Sequence, residues 1–60
     1  MTDAERLHKF RHDIANPLSA LLAEAQLLLL NEAKLDPETV ASVREIENLA
    51  IRMRALLREV

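Results

Sequence analysis

Two stretches of the chain carry apolar residues at the three- and four-residue spacing of an amphipathic helix. The first predicts a helix over about 3–31 and the second a helix over about 37–59, joined by a loop over about 32–36. At about 100° per residue, the apolar positions of the first helix fall within about 60° of one line along it. They are Leu7, Phe10, Ile14, Leu18, Leu21, Leu22, Ala25, Leu28 and Leu29. The second helix has a similar line at Val43, Ile46, Leu49, Ala50, Met53, Leu57 and Val60, with Leu56 at its margin.

Residues at the ends of both stretches favour helix boundaries. Thr2 and Glu5 fit a capping box, in which the threonine hydroxyl accepts from the Glu5 amide and the carboxylate reaches back. Asp36 is expected to be the N-cap of the second helix, with Pro37 at its first helical position. Asn31 is expected near the end of the first helix, since asparagine often replaces glycine there. A loop of about five residues makes the two helices antiparallel neighbours.

Pro17 lies well inside the first helical pattern. A proline removes one backbone hydrogen bond and crowds the carbonyl four residues earlier, that of Asp13, so we expect a bend or local loosening. The alternative is that Pro17 ends one helix and begins another. The apolar line keeps its direction across the proline, and neither glycine nor a polar turn cluster lies nearby. These features favour one continuous helix.

A hairpin of 60 residues buries too little apolar surface to be comfortably stable alone. Half of the residues are hydrophobic, yet Phe10 is the only aromatic residue, and there is no glycine or cysteine. Neither a disulfide nor a cysteine-containing zinc site can compensate, so association with a second copy is the remaining way to complete a core. We therefore predict one all-α domain over residues 1–60, an antiparallel two-helix hairpin that dimerises into a four-helix bundle.

Charge and hydropathy exclude several classes of function. The formal net charge of −2 argues against nucleic-acid binding. The longest apolar run, 25–30, is interrupted by Gln26 and is far too short to span a bilayer, so we expect no membrane contact by this segment. Asp3 and Glu5 stand where a signal peptide would be basic. These features predict a soluble, cytoplasmic protein.

Chemically active side chains are concentrated at His12, Asp13 and Asn16, just before Pro17 and Leu18. On a helical wheel His12 points roughly 140°, and Asn16 about 180°, away from the apolar line, so both are expected in solvent. An imidazole in water has a pKa of about 6.5, and its neutral ring is a competent nucleophile near neutral pH. A nearby carboxylate can orient one ring nitrogen and remove its proton. The alternative is that Asp13 and Asn16 are ordinary solvated residues.

The run His12-Asp13-Ile14-Ala15-Asn16-Pro17-Leu18 resembles the phosphoacceptor motif of sensor histidine kinases, histidine–acid–x–x–asparagine or threonine–proline–leucine. The resemblance is to the HisKA-like dimerisation domain of two-component systems, and it covers nearly the whole chain. It implies that His12 accepts a phosphoryl group from ATP on a separate catalytic domain and passes it to an aspartate of a response regulator. It also implies that Asp13 is the general base, and that Asn16 helps place the attacking water when the phosphorylated partner is dephosphorylated.

The same resemblance implies three partners: a second copy, the ATP-binding domain of the kinase and the receiver domain of the regulator. In that family the receiver docks on the first helix below the histidine. Here an outward apolar track of Ala20, Ala23, Leu27 and Leu30 is the expected docking surface, and bundle periphery is its alternative. ATP and Mg²⁺ are expected on the separate domain, because this chain has no glycine and no phosphate-cradling loop. Alone it should hold no cofactor and should not transfer phosphate from ATP.

Basic residues surround the motif. The basic residues near His12 are Arg6, Lys9 and Arg11. They could attract a phosphate, or they could form a solvated face that pairs with acids such as Asp3 and Asp13. His8 and His12 are four residues apart, a metal-ligand spacing, but without a third ligand only adventitious metal binding is expected. Two alternative functions remain open: a purely structural dimerisation module and a stand-alone phosphorelay intermediate.

Overall fold

The computed structural model describes residues 1–59, which form two long α-helices. Helix α1 spans Asp3–Leu29 and helix α2 spans Pro37–Arg58, with a short 3₁₀ helix, Glu32–Lys34, between them. The described residues contain no β-strand, so the all-α prediction is confirmed. Neither helix is both long enough and apolar enough, within this described part, to cross a membrane.

The two helices lie side by side and run antiparallel. Phe10, near the start of α1, lines the same cleft as Met53 and Leu56, near the end of α2. The Cα trace measures 49 × 15 × 11 Å, so the molecule is only one layer of helices thick. The predicted helical hairpin is confirmed, and it has two broad sides that face solvent.

Helix initiation follows the predicted caps. The Thr2 hydroxyl accepts from the Glu5 amide at 3.1 Å, and the Glu5 carboxylate accepts from the Thr2 amide at 3.3 Å, which completes a capping box. At the start of α2, the Asp36 carboxylate accepts from the Thr39 amide at 3.2 Å and also from the Thr39 hydroxyl. Pro37 is the first helical residue, where its missing N–H leaves no bond unmade.

The end of α1 differs from the sequence prediction. The helix stops at Leu29, and Asn31 has φ −110° and ψ 28°, so it does not adopt the left-handed conformation of a glycine-like terminator. Instead the Leu30 amide is shared between the carbonyls of Gln26 and Leu27, at 3.2 and 3.3 Å. The last turn tightens toward a 3₁₀ helix, which satisfies the terminal carbonyls without a residue of positive φ.

Helix α1 continues through Pro17 without interruption, so the prediction of one continuous helix is confirmed. Because proline has no N–H, the carbonyl of Asp13 receives no helical hydrogen bond from position 17. The bend expected at this position stays a prediction.

The core between the helices is small and lies toward the connecting turn. The buried residues, none more than 6% exposed, are Leu18, Leu22, Ala25, Val43 and Ala50. Every buried residue of α1 follows Pro17 in the sequence. Before Pro17, the described part of the helix contributes only half-buried side chains, those of Arg11, Ile14 and Ala15. The half of α1 that contains His12 is therefore held less firmly than the half that follows.

The predicted apolar lines are only partly covered in the hairpin. Leu7, near the start of α1, is 38% exposed. The other uncovered residues are each 42% to 56% exposed: Phe10, Leu21 and Leu28 on α1, and Ile46, Leu49, Met53 and Leu56 on α2. Helical geometry puts these seven residues on one side of the hairpin, which we call the apolar face. Val60, also assigned to the apolar line of α2, lies outside the described residues. The hairpin exposes 4811 Å², whereas a compact monomer of 6.8 kDa exposes roughly 4,000 Å².

Candidate functional site

His12 lies on the outer side of α1, exposed to solvent, as predicted. It borders a groove of about 420 Å³ between the two helices, which we call the histidine groove. The residues that line it are His8, Arg11, His12 and Ala15 from α1 and Arg54, Leu57 and Arg58 from α2. The imidazole is thus open to an approaching protein and is bordered by side chains from both helices.

The other residues of the motif are divided between surface and core. Asn16 and Pro17 are exposed one turn after His12, whereas Leu18 is 5% exposed and packs with Leu22 and Ala50. Burial of Leu18 fixes the rotation of α1 against α2. That rotation keeps His12 and Asn16 in solvent.

Asp13 interacts with Lys9 and not with the adjacent His12. The Nζ atom of Lys9 lies 2.7 Å from Oδ2 of Asp13, one helical turn away, and both side chains are exposed. The hydrogen bond to Asp13, and then the negative charge of Asp13, raise the pKa of Lys9. No hydrogen bond joins Asp13 to His12 in residues 1–59. The solvated-pair prediction is confirmed for Lys9, and the role of Asp13 as general base stays a prediction.

His8 and His12 face the groove as two separate imidazoles. Their ring centroids are 6.3 Å apart and their planes are inclined by 48°, which is not a stacked arrangement. Within the described part of the chain, no three histidine, cysteine, aspartate or glutamate side chains are grouped closely enough to hold a metal ion.

The histidine groove is strongly basic. Arg11 and Arg54 are half-buried in its walls, and Arg58 is exposed at its edge. Among residues 1–59, no acidic side chain lines the groove. The two ion pairs formed among residues 1–59 involve other side chains, so neither neutralises these three guanidinium groups.

Arg54 was not predicted as a site residue. The signal that could have found it is its position on the helical wheel, about 40° to 60° from Ala50 and Leu57, on the side of α2 that packs against α1. A charged residue is uncommon on the side of a helix that packs against another, and none of the neighbours of Arg54 three or four residues away is acidic. The pattern of α2 alone does not reveal that His12 lies across the groove.

The predicted docking track is exposed along its whole length. Ala20, Ala23, Leu27 and Leu30 are all exposed, Leu27 by 56% and Leu30 by 79%. Helical geometry places the track on the same side of α1 as His12. Its orientation is as predicted, and its use as a docking surface stays a prediction.

The apolar face lies behind the histidine groove. It contains an apolar cleft of about 350 Å³ lined by Phe10, Ile14, Met53, Leu56 and Leu57. Around α1, Phe10 points about 160° away from His12. A partner covering the apolar face would therefore leave the imidazole accessible.

Comparison with known protein families, with functionally characterised proteins and with solved structures found no match to this chain. The expected relation to sensor histidine kinases rests on the sequence motif His12 to Leu18, and it stays a prediction.

Proposed function

We propose that this chain is the dimerisation and histidine-phosphoacceptor domain of a two-component sensor histidine kinase. The observation that carries the proposal is the placement of the motif: His12 and Asn16 lie in solvent one turn apart, while Leu18 anchors the same helix in the core. A phosphoacceptor needs this exposure, because a catalytic domain and a receiver domain must each reach the imidazole.

The proposed transfer is a nucleophilic displacement at phosphorus. A neutral ring nitrogen of His12 attacks the γ-phosphorus of ATP on the catalytic domain, the bond to the bridging oxygen breaks, and ADP leaves with the electron pair. The proton on the other ring nitrogen passes to Asp13. In the second step a carboxylate oxygen of the receiver aspartate attacks the phosphorus. The electron pair of the N–P bond returns to the ring, which takes up a proton again.

For this chemistry Asp13 has to exchange its partner. Its ion pair with Lys9 is exposed, and exposed pairs of this kind are weak, so little free energy opposes the release of the carboxylate from Lys9. Asn16 is one turn further along the same exposed side. When the receiver domain is dephosphorylated, the amide of Asn16 would help to orient the water that hydrolyses the phosphoryl group.

The apolar face is the proposed dimer interface. The hairpin exposes about a fifth more surface than a compact monomer of its mass. Four of the exposed apolar residues of α2 alternate at the three- and four-residue spacing of a coiled-coil seam: Ile46, Leu49, Met53 and Leu56. Two hairpins packed through these faces form a four-helix bundle, with the histidine groove of each copy on the outside.

The remaining partners would approach from the side of His12. A receiver domain would dock on the exposed apolar track that follows the histidine along α1, formed by Ala20, Ala23, Leu27 and Leu30. The catalytic domain would supply ATP and Mg²⁺.

Incubation of the chain with a histidine-kinase catalytic domain and radiolabelled ATP tests the proposal. The wild-type chain and His8→Gln should become labelled, whereas His12→Gln should remain a folded helical dimer without label. His8→Gln is the matched control, because it removes the neighbouring imidazole from the same groove. Label on His12→Gln, or its loss from His8→Gln alone, would show that His12 is not the acceptor.

The exposed apolar face also fits a purely structural dimerisation module, because dimerisation requires no chemistry at the histidine. In that case the chain forms dimers and none of these proteins is labelled by any catalytic domain. A stand-alone phosphorelay intermediate would be labelled at His12 from a phosphorylated receiver domain as well.

A further inference from the structure

We propose that Arg11 and Arg54, assisted by Arg58, form an oxyanion subsite that holds a phosphoryl group beside His12 in the histidine groove. The ligand class is a tetrahedral dianion, either inorganic phosphate from solution or the phosphoryl group attached to His12. As a holder of phosphohistidine the subsite rests on the proposed function, whereas its binding of inorganic phosphate does not.

The first observation is that arginine residues from both helices line one groove. Arg11 comes from α1, and Arg54 and Arg58 come from successive turns of α2. They meet because the antiparallel helices bring the end of α2 beside the start of α1. A guanidinium group carries a planar fork of N–H donors that fits two phosphate oxygens at once. Donors from opposite walls can therefore surround a phosphoryl group beside His12.

The second observation is that nothing in the described groove neutralises this charge. No acidic side chain lines it, and no carboxylate of residues 1–59 forms an ion pair with Arg11 or Arg54. Their neighbours three and four residues away along each helix are likewise not acidic. Like charges gathered in a half-buried groove repel one another, and a bound dianion replaces that repulsion with attraction.

The walls of the groove strengthen this effect. Ala15 and Leu57 are half-buried apolar side chains that line it beside the arginines, so part of the surrounding water is excluded. Electrostatic attraction is stronger where water is excluded. Lys9 is not part of the proposed subsite, because it lies on the outer surface of α1 and is already paired with Asp13.

Titration of the isotope-labelled chain with inorganic phosphate, followed by NMR of the His12 ring and the arginine side-chain N–H groups, tests the subsite directly. We expect saturable shifts that weaken by about tenfold in the double variant Arg54→Gln/Arg58→Gln. Arg54→Lys should keep part of the affinity, because it keeps the charge but not the fork. Arg52→Gln is the control for position: it removes one positive charge from an exposed position of α2 outside the groove and should bind as wild type.

Chloride at equal ionic strength is the control for screening, and far-UV circular dichroism checks that each variant is helical. Equal phosphate affinity in the wild type and the double variant would overturn the subsite, as would shifts that chloride reproduces. If the double variant were unfolded, single variants would decide in its place. The subsite requires that Arg54→Lys and Arg11→Gln bind phosphate more weakly than Arg52→Gln does.

A second arm examines the phosphoryl group on His12 without any kinase. Phosphoramidate is added to His8→Gln, so that His12 is the only histidine available. A ring nitrogen of His12 attacks the phosphorus, and the P–N bond of phosphoramidate breaks. The leaving nitrogen takes a proton from solvent and departs as ammonia, and the proton on the other ring nitrogen of His12 is released to solvent. Nearby positive charge favours the dianion, so the second pKa of the phosphoryl group, followed by ³¹P NMR, should be lower than in the variant that also contains Arg54→Gln/Arg58→Gln. Equal pKa values would overturn this role.

The two proposals fail in distinguishable ways. If no catalytic domain labels His12 but phosphate binding depends on Arg54, the sensor-kinase function is wrong and the subsite stands. If His12 is labelled normally while the arginine variants bind phosphate as wild type does, the function stands and the subsite is wrong.

Discussion

The ammonium group of Lys9 lies 2.7 Å from the carboxylate of Asp13, and this ion pair holds the proposed general base away from the histidine that it would serve. Helical geometry places the pair well around α1 from the histidine groove. In the hairpin the carboxylate of Asp13 is therefore bonded to Lys9, and the role proposed for it at His12 requires it to leave that partner.

Replacement of Lys9 by alanine should release Asp13 and increase the rate of His12 phosphorylation by about twofold, the small factor that an exposed ion pair one turn apart allows. The measurement is the initial rate of labelling by a supplied catalytic domain. Lys9→Arg preserves the charge and the pairing and should label at the wild-type rate. A lower rate in Lys9→Ala would mean that Lys9 assists the reaction.

Asn16 is proposed to act on the receiver and not on ATP. Asn16→Ala should leave labelling of His12 nearly unchanged and slow dephosphorylation of a phosphorylated receiver domain by about tenfold, because the attacking water loses one orienting group. Ser19→Ala, at an exposed position in the next turn, is the control. Unchanged phosphatase rates together with impaired labelling would reverse the role given to Asn16.

Ile46 and Ile51 allow a matched test of the dimer interface, because both are 42% exposed and they point to different sides of α2. Ile46 belongs to the apolar face and Ile51 does not. Ile46→Glu should convert a dimer of twice 6.8 kDa into a monomer, since it buries a charge in the interface, and Ile51→Glu should remain dimeric. Sedimentation equilibrium measures both masses. A dimeric Ile46→Glu would show that the bundle uses another surface.

The Asp36 cap makes part of the stability pH-dependent. Hydrogen bonds from the hydroxyl and the amide of Thr39 lower the pKa of Asp36 below its usual 3.8. A lowered pKa stabilises the folded state at pH values above 3.8, and this contribution is lost as the pH falls through the folded-state value. Asp36→Asn keeps the capping acceptor but cannot titrate.

Thermal unfolding followed by circular dichroism checks this expectation. Between about pH 5 and pH 2 the Tm of the wild type should fall further than that of Asp36→Asn, by about 3 °C. Asp36→Ala should lose about 5 °C already at neutral pH, because the N-cap is absent. Parallel pH profiles for the wild type and Asp36→Asn would assign the acid sensitivity to other carboxylates.

Local sequence signals predicted most of the fold. The starts of both helices could be predicted, because capping depends on residues close in sequence. The signals were Thr2 with Glu5 for α1, and Asp36 with Pro37 for α2. Asn31 lies near the end of α1, as predicted, but it does not replace a glycine there, since bonds from the Leu30 amide to two carbonyls end the helix. Helical periodicity placed Leu18 on the covered side and His12 on the open side.

The electrostatics of the site could not be predicted in the same way. The contact of Arg54 with the groove of His12 depends on how the two helices align along their length, which periodicity within either helix does not determine. The partner of Asp13 depends on rotamers, because Lys9 and His12 are both within reach in sequence. The division of the apolar lines into a core and an exposed apolar face likewise required the rotation of one helix against the other.

Pro17 separates a well-packed half of α1 from a half whose side chains are largely exposed. Leu18, Leu22 and Ala25 clamp α1 beyond the proline, whereas no described residue before it is fully covered. Local unfolding should therefore start at the open end of the hairpin, where the two helices are least covered. It should stop near Pro17, where the missing hydrogen bond separates the two halves of α1. The imidazole of His12 lies on the half that opens, so a docking protein can displace it while the other half of the hairpin stays packed.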